Sequence, residues 1–204
     1  MMINMYENNP NEKHAQQVVD VLSKNGIVIY PTDSVYGLGC SINSHKSIEK
    51  IALIKGIKTE KANFSFIFSD LSQLSDFTRP ISNNIFKLIN RNLPGPFTFI
   101  LEANNNIPKI FKRKKKTIGI RIPDNNIIRT IVERLGHPIM TTSVYDDDDI
   151  IEYTTDPELI YDNYKDKVDL IINGGYGNNI ASTVVDCTNN EPEIIRQGAG
   201  ELLL

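Results

Sequence analysis

Short apolar runs of strand length alternate with helical stripes along nearly the whole chain, and that alternation leaves few architectures open. Ala15, Val18, Val19 and Leu22 recur at helical spacing, and the stripe stops at Gly26, a residue suited to closing a helix. Ile27–Tyr30 follows as a strand, ended by Pro31, which has no N–H for a ladder. Ser44 caps a helix with Ile48, Ile51, Ala52 and Ile54 on its inner face. Phe64–Phe68 reads as a strand and Asn83–Asn90 as a helix; Phe97–Leu101 and Thr117–Ile122 read as strands. Asn126–Leu135 is a helix closed by Gly136 and Pro138, followed by the strand Ile139–Ser143. Asp156 caps a helix that starts at Pro157 and runs to about Tyr164. Val168–Ile172, Ser182–Val185 and Glu193–Arg196 are late strands. The expected class is α/β (α+β), a mixed sheet with helices on both faces. The polar, Asn-rich residues 1–12 read as a tail and 13–204 as one domain, long enough to bury a large core.

Composition narrows the function classes. A net charge of −3 does not announce a nucleic-acid binder. No apolar run reaches the ~20 residues of a membrane helix, and the first residues lack the apolar core of a signal peptide. No membrane partner is expected. Cys40 and Cys187 are far apart and without metal-type spacing, as for reduced thiols in a cytoplasmic protein. The three histidines, His14, His45 and His137, form no ligand pattern, so no metal site is expected.

Residues 30–40, Tyr-Pro-Thr-Asp-Ser-Val-Tyr-Gly-Leu-Gly-Cys, concentrate chemistry after the first apolar strand. Pro and Gly alone would explain a strand-ending turn. Thr32, Asp33, Ser34 and Tyr36, packed between the turn formers, favour a ligand loop at a strand end. Arg121 lies between isoleucines in Ile118-Gly-Ile-Arg-Ile-Pro, where a charge is costly unless it is paired or faces a ligand. Lys109–Lys116 is the one strong basic run, six of its eight residues cationic with Phe111 among them. It is either a solvated loop or an RNA contact. Asp146–Asp149 is either a solvated acidic loop or a site drawing in Mg²⁺ alongside phosphates. No Walker, Rossmann or Ser/His/Asp pattern is present.

Five segments, in order, carry a resemblance: Tyr30–Gly39, Asn92–Leu101 (NLPGPFTFIL), Ile118–Asp124 (IGIRIPD), Pro138–Ser143 (PIMTTS), and Ser182–Asp186 (STVVD) with Ile195–Gly198 (IRQG). Together they resemble the YrdC/TsaC family of threonylcarbamoyl-AMP synthases, with the YciO-like branch closest. The resemblance implies a YrdC-like twisted mixed sheet with a concave basic cavity. It implies an enzyme that joins L-threonine, bicarbonate (CO₂) and ATP, with Mg²⁺, into threonylcarbamoyl-adenylate for modification of tRNA adenosine 37. Carried over by motif, Lys55 and Arg121 would be catalytic. Thr32, Tyr36, Lys58 and Ser182 would hold the threonine side; Arg121, Ser143 and Arg196 would hold the adenylate. Lys112, Arg113, Lys114, Lys115 and Lys116 would contact double-stranded RNA or tRNA.

The chain departs from the family pattern at named places. In Lys55-Gly-Ile-Lys-Thr-Glu-Lys61, Ile57 stands where an arginine is expected and Lys58 where a proline is. Phe64 replaces a second proline, Phe68 falls near a family histidine, and the asparagine expected after Ser143 is missing. A lysine cannot copy the fork of an arginine, so weak turnover is expected. The alternative is a YciO-like module that binds RNA or nucleotide without efficient turnover.

Overall fold

The computed structural model describes residues 1–58, 64–108, 117–144, 155–189 and 191–204. In chain order the elements are β1 (Met2–Asn4), α1 (Glu12–Ser23), β2 (Ile27–Tyr30), β3 (Gly37–Ser41), α2 (His45–Ile54), β4 (Ser65–Ile67), α3 (Asn83–Asn92), β5 (Phe97–Glu102), β6 (Thr117–Arg121), α4 (Asn126–Leu135), β7 (Ile139–Ser143), α5 (Pro157–Tyr164), β8 (Leu170–Asn173), β9 (Thr183–Asp186) and β10 (Glu193–Arg196). The ten strands form one mixed sheet in the order β1-β8-β2-β3-β7-β4-β6-β5-β9-β10. Lys61, the basic run Lys109–Lys116 (with Lys112, Arg113, Lys114, Lys115 and Lys116) and Asp146–Asp149, all named from the sequence, lie outside the described residues.

Helices cover both faces, as the alternation requires. Along β2, Val28 and Tyr30 point to one side with α1 and α4, whose Val18, Leu22, Ile127 and Ile131 cover Ile139, Leu170 and Ile172. Ile27 and Ile29 point to the other side with α2, α3 and α5, whose Ile48, Ile51, Ile89 and Ile160 pack with Phe66, Phe99 and Ile120. A strand alternates its faces every residue, so a run apolar at every position, like Ile27–Tyr30, is the mark of a strand buried on both sides. The helix starts follow their capping residues: the side chains of Asn11, Ser44, Ser82, Asn125 and Asp156 each accept a first-turn N–H. Gly136 ends α4 at φ 77°, in the left-handed region that favours glycine.

Two sequence readings are corrected here. Residues 1–12 are not wholly a tail. Met2–Asn4 adds a parallel edge strand to β8, and Met5 is buried. Three residues are too few to show a period, and the apolar contact falls on two methionines and an isoleucine among asparagines. Nor does the Gly-rich stretch stay a loop: Gly37–Ser41 is a fully buried strand, antiparallel to both β2 and β7. Its glycines make room for Tyr30. A Cβ on Gly37 would sit 2.5 Å from the Tyr30 ring, and one on Gly39 would sit 2.7 Å from its hydroxyl and 2.5 Å from the Met140 carbonyl. The ring thus lies across β3, and its hydroxyl donates to Thr141 Oγ1 on β7 at 2.6 Å. Only Pro31–Tyr36 remains loop.

Candidate functional site

The loop Pro31–Tyr36 leaves the end of β2 and folds onto itself. Thr32 Oγ1 donates to the Val35 carbonyl at 2.7 Å and accepts the Ser34 N–H at 3.1 Å. This holds Asp33 and Ser34 against the end of β6. There Arg121 Nη2 donates to Ser34 Oγ at 2.8 Å and lies 3.3 Å from Asp33 Oδ1. The other Asp33 oxygen accepts the Asp124 N–H at 2.8 Å. Arg121 is only 7% exposed, and its Nε–H has no partner. A buried guanidinium donor without an acceptor is costly and rare in a folded chain.

Electrostatics follow from the burial. Desolvation lowers the Arg121 pKa from its ordinary value; Asp33 opposes this, and the neighbouring Arg196 guanidinium adds to it. Desolvation likewise raises the Asp33 carboxyl, against the pull of Arg121. Arg196 stands near enough to Arg121 to act on it as a second cation, while Asp33 answers Arg121 and Asp124 lies beside Asp33. Two guanidinium groups in reach of each other, one with an unpartnered donor, suit an anion.

The far wall is built from β5, β9 and β10. Arg196 Nη2 donates to the Ser182 carbonyl at 2.8 Å and lies 3.5 Å from Ser182 Oγ. Ser182 Oγ is 2.9 Å from Thr98 Oγ1, and both residues are buried. Thr98 sits on β5, the neighbour of β6, so Arg121, Thr98, Ser182 and Arg196 follow one another across adjacent strands. The turn after β10 is fastened by buried Thr183. Its Oγ1 donates to the Gly200 carbonyl at 2.6 Å and accepts the N–H groups of Gly198 and Gly200.

The remaining sequence-derived candidates are placed differently. Tyr36 is buried, and its hydroxyl donates to the Gly175 carbonyl at 2.6 Å and accepts the Gly174 N–H at 3.1 Å. Its hydroxyl pins the loop after β8. Burial pushes its phenol up to about 12. Thr32 is buried too, and its hydroxyl shapes its own loop. Lys55, at the end of α2, donates from Nζ to the Ser143 carbonyl at 3.2 Å, so these two candidates from distant segments do meet. Lys58 is exposed, and Ile57 is 41% exposed. Among the described residues, no three His, Cys, Asp or Glu side chains are grouped to hold a metal.

Sequence reasoning missed Thr98, Asn178 and the role of Asp33. Asn178 donates to the Asp33 carbonyl from Nδ2 and to the Ser34 carbonyl from its backbone N–H. The signal for Asp33 was available: a buried arginine needs a countercharge, and the loop held a single carboxylate.

Comparison with known proteins agrees with this architecture. A family model for Sua5/YciO/YrdC proteins, described as "Telomere recombination", matches residues 20–198. A protein of Haemophilus influenzae is 41% identical over 199 residues, covering 96% of this chain and 94% of the relative. YciO of Escherichia coli is 38% identical over 200 residues, covering 97% and 95%. A threonylcarbamoyl-AMP synthase of Neisseria gonorrhoeae is 33% identical over 131 residues, 63% of this chain and 69% of that one. The crystal structure of E. coli YciO superposes with a TM-score of 0.90 at 37% identity, covering 98% and 97%. That of P. abyssi Sua5 complexed with L-threonine gives 0.85 at 23% identity, covering 97% of this chain and 57% of Sua5, a likeness of fold.

Proposed function

The chain belongs to the Sua5/YciO/YrdC family, and from that footing we propose that it binds ATP at the Arg121–Arg196 cluster and forms an acyl-adenylate of the threonylcarbamoyl-AMP type, with slow turnover. The observation that carries this reading is Arg121: buried, shared between Asp33 and Ser34, with an unpartnered Nε–H and a second guanidinium in electrostatic reach. An α-phosphate between Arg121 and Arg196 would satisfy that donor.

L-Threonine and bicarbonate combine, with loss of water, to an N-carboxylated threonine. Its carbamate oxygen attacks the α-phosphorus of ATP. The bond to the bridging oxygen breaks, and pyrophosphate leaves with the electron pair. No nucleophile from the protein is needed; positioning and charge stabilisation do the work. Arg121 and Arg196 would bind the adenylate phosphate. Ser182 and Thr98 would present hydroxyls between them. Lys55, anchored at Ser143, would neutralise the carboxylate of the amino acid. Mg²⁺ would enter with ATP and offset the charge of the leaving pyrophosphate.

Pyrophosphate release with and without L-threonine tests the reading. Slow, threonine-dependent release that Arg121→Ala abolishes is expected; threonine-independent release, or none at high enzyme concentration, removes it. A second reading keeps nucleotide binding without efficient turnover, as a YciO-like binding module. Ile57, partly exposed where the resemblance calls for an arginine, favours it. ATP binding by calorimetry without threonine-dependent release would select that reading.

A further inference from the structure

Between β8 and Ser182 runs a loop, residues 174–181, that carries two exposed apolar side chains: Tyr176 at 80% and Ile180 at 54%. Scattered exposed apolar residues are ordinary on any surface. These two differ because their loop is moored along its length. Gly174 and Gly175 are tied to the Tyr36 hydroxyl, the Gly177 N–H donates to the Thr155 carbonyl at 2.7 Å, and Asn178 is bonded to Asp33 and Ser34. Gly177 lies so close to the Tyr36 ring that a Cβ there would sit 2.7 Å from Cδ2. The Ala181 carbonyl accepts the Ala199 N–H at 2.9 Å. The exposure of Tyr176 and Ile180 is therefore set by the fold.

Their place matters as much. Ile180 is two residues from Asn178, which holds the loop bearing Asp33 and Ser34, and two from Ser182, which holds Arg196. It thus lies on the chain between the anchor of the Asp33–Ser34 loop and the anchor of Arg196. The Tyr176 hydroxyl donates to Asp156 Oδ2 at 3.4 Å, while the other Asp156 oxygen caps α5 through the Glu158 N–H. The tip of the ring is moored and its faces are open. A preorganised aromatic face loses little freedom on binding a flat partner. A nucleotide combines a polyanion with a flat, weakly polar ring, and the two arginines and this moored loop offer a surface for each part.

Resting on the adenylate reading above, we propose that Tyr176 and Ile180 form the seat of the purine base of the nucleotide whose phosphates meet Arg121 and Arg196. They are positioning and specificity residues, separate from the phosphate contacts. The test compares ATP with inorganic tripolyphosphate, both with Mg²⁺, by calorimetry on the full chain. ATP should bind about tenfold or more tighter than tripolyphosphate, the scale of one base–aromatic stack. Tyr176→Ala and Ile180→Ser should remove most of that advantage and leave tripolyphosphate affinity unchanged, while Tyr176→Phe should keep much of it. Thermal melts of these surface variants should match the parent. Equal affinity of the parent for both ligands overturns the proposal, as does unchanged ATP affinity in Tyr176→Ala and Ile180→Ser. Arg121→Ala reports separately on the anion cluster: it should weaken both ligands alike. Tripolyphosphate binding that survives Arg121→Ala would sink the adenylate reading without bearing on the base preference.

Discussion

The two sides of the candidate site are built in opposite ways. On the Arg121 side, the loop 31–36, the ends of β6 and β10 and the loop 174–181 interlock through several hydrogen bonds, with the Arg121–Ser34 bond buried among them. On the Lys55 side, the ammonium donates to the Ser143 carbonyl, and among the described residues its chain neighbours Ile57 and Lys58 are exposed. A group held by several buried partners can meet a ligand without reorganising, which is the condition for strong binding of a charged phosphate. A lysine at the end of a helix, next to exposed side chains, has more rotamer freedom to lose on meeting a ligand. On the proposed reading, the contrast predicts tighter binding of the nucleotide than of the amino acid.

The largest effect should come from the interlocked side. Arg121→Ala removes the countercharge of Asp33 and leaves a buried carboxylate unpaired, at a cost of about 3–5 kcal/mol. It should also lower nucleotide affinity by about 100-fold, since charged hydrogen bonds to phosphate are the strong ones. Arg121→Lys keeps the charge but loses the fork and should fall between. Urea denaturation and calorimetry measure the two effects separately. Lys55→Ala should change stability by about 1 kcal/mol or less. A larger loss there than at Arg121 would reverse the comparison.

Thr183→Val comes next. One buried hydroxyl serves Gly198, Gly200 and the Gly200 carbonyl, and the isosteric valine leaves the N–H groups of Gly198 and Gly200 unsatisfied, while the Gly200 carbonyl keeps its bond from Gln197 Nε2. A loss of about 2–4 kcal/mol is expected, with weaker nucleotide binding because the chain after Arg196 loses its mooring. If denaturation midpoints fall but affinity holds, Arg196 is positioned by Ser182 alone.

Tyr36→Phe separates structure from chemistry on the same side. The folded phenol keeps its proton to about pH 12, against 10.0 as the ordinary value. The stability this group contributes is therefore complete below about pH 10 and is lost as pH rises through 12. The full loss is on the order of 3 kcal/mol. Phenylalanine should cost about 1–2 kcal/mol at neutral pH, from the orphaned Gly174 N–H and Gly175 carbonyl, and should shallow the alkaline decline. Denaturation midpoints measured from pH 8 to 12 test both halves.

What could be read from the sequence follows from how each feature is encoded. Helices α4 and α5 and strands β7 and β10 have the bounds expected from stripes, caps and breakers, because those signals are local. Strand β3 was hard to read as a strand because its glycines look like turn formers, although Leu38, Cys40 and Ile42 recur at every second residue; those glycines answer to Tyr30, a residue on another strand. Arg121 could be singled out because a charge among isoleucines is anomalous in itself. Thr98 could not, because a threonine in a strand is ordinary and becomes notable only when β5 lies beside β9, next to Ser182. The fastening role of Tyr36 was hidden for the same reason: its partners, Gly174 and Gly175, lie far along the chain. Local physics exposes elements and anomalies, whereas the closure of a site depends on register.

The smallest effect, and the one that sharpens the comparison most, should come from restoring what the open side lacks. Ile57 is 41% exposed two residues beyond Lys55, so Ile57→Arg adds a guanidinium without burying it or displacing core. The new fork would pair with a ligand carboxylate in a partly solvated setting, where screening keeps the gain modest. L-Threonine should therefore bind about three- to tenfold tighter in calorimetry, while ATP affinity and the melting temperature stay put. Threonine-dependent pyrophosphate release should rise by a similar factor if the carboxylate is what the native chain holds poorly. If threonine binding is unchanged in Ile57→Arg yet Lys55→Ala still weakens it, the open side recognises its ligand through Lys55 alone. If neither substitution matters, the amino acid is not the ligand of this side, and only the nucleotide half of the site remains functional.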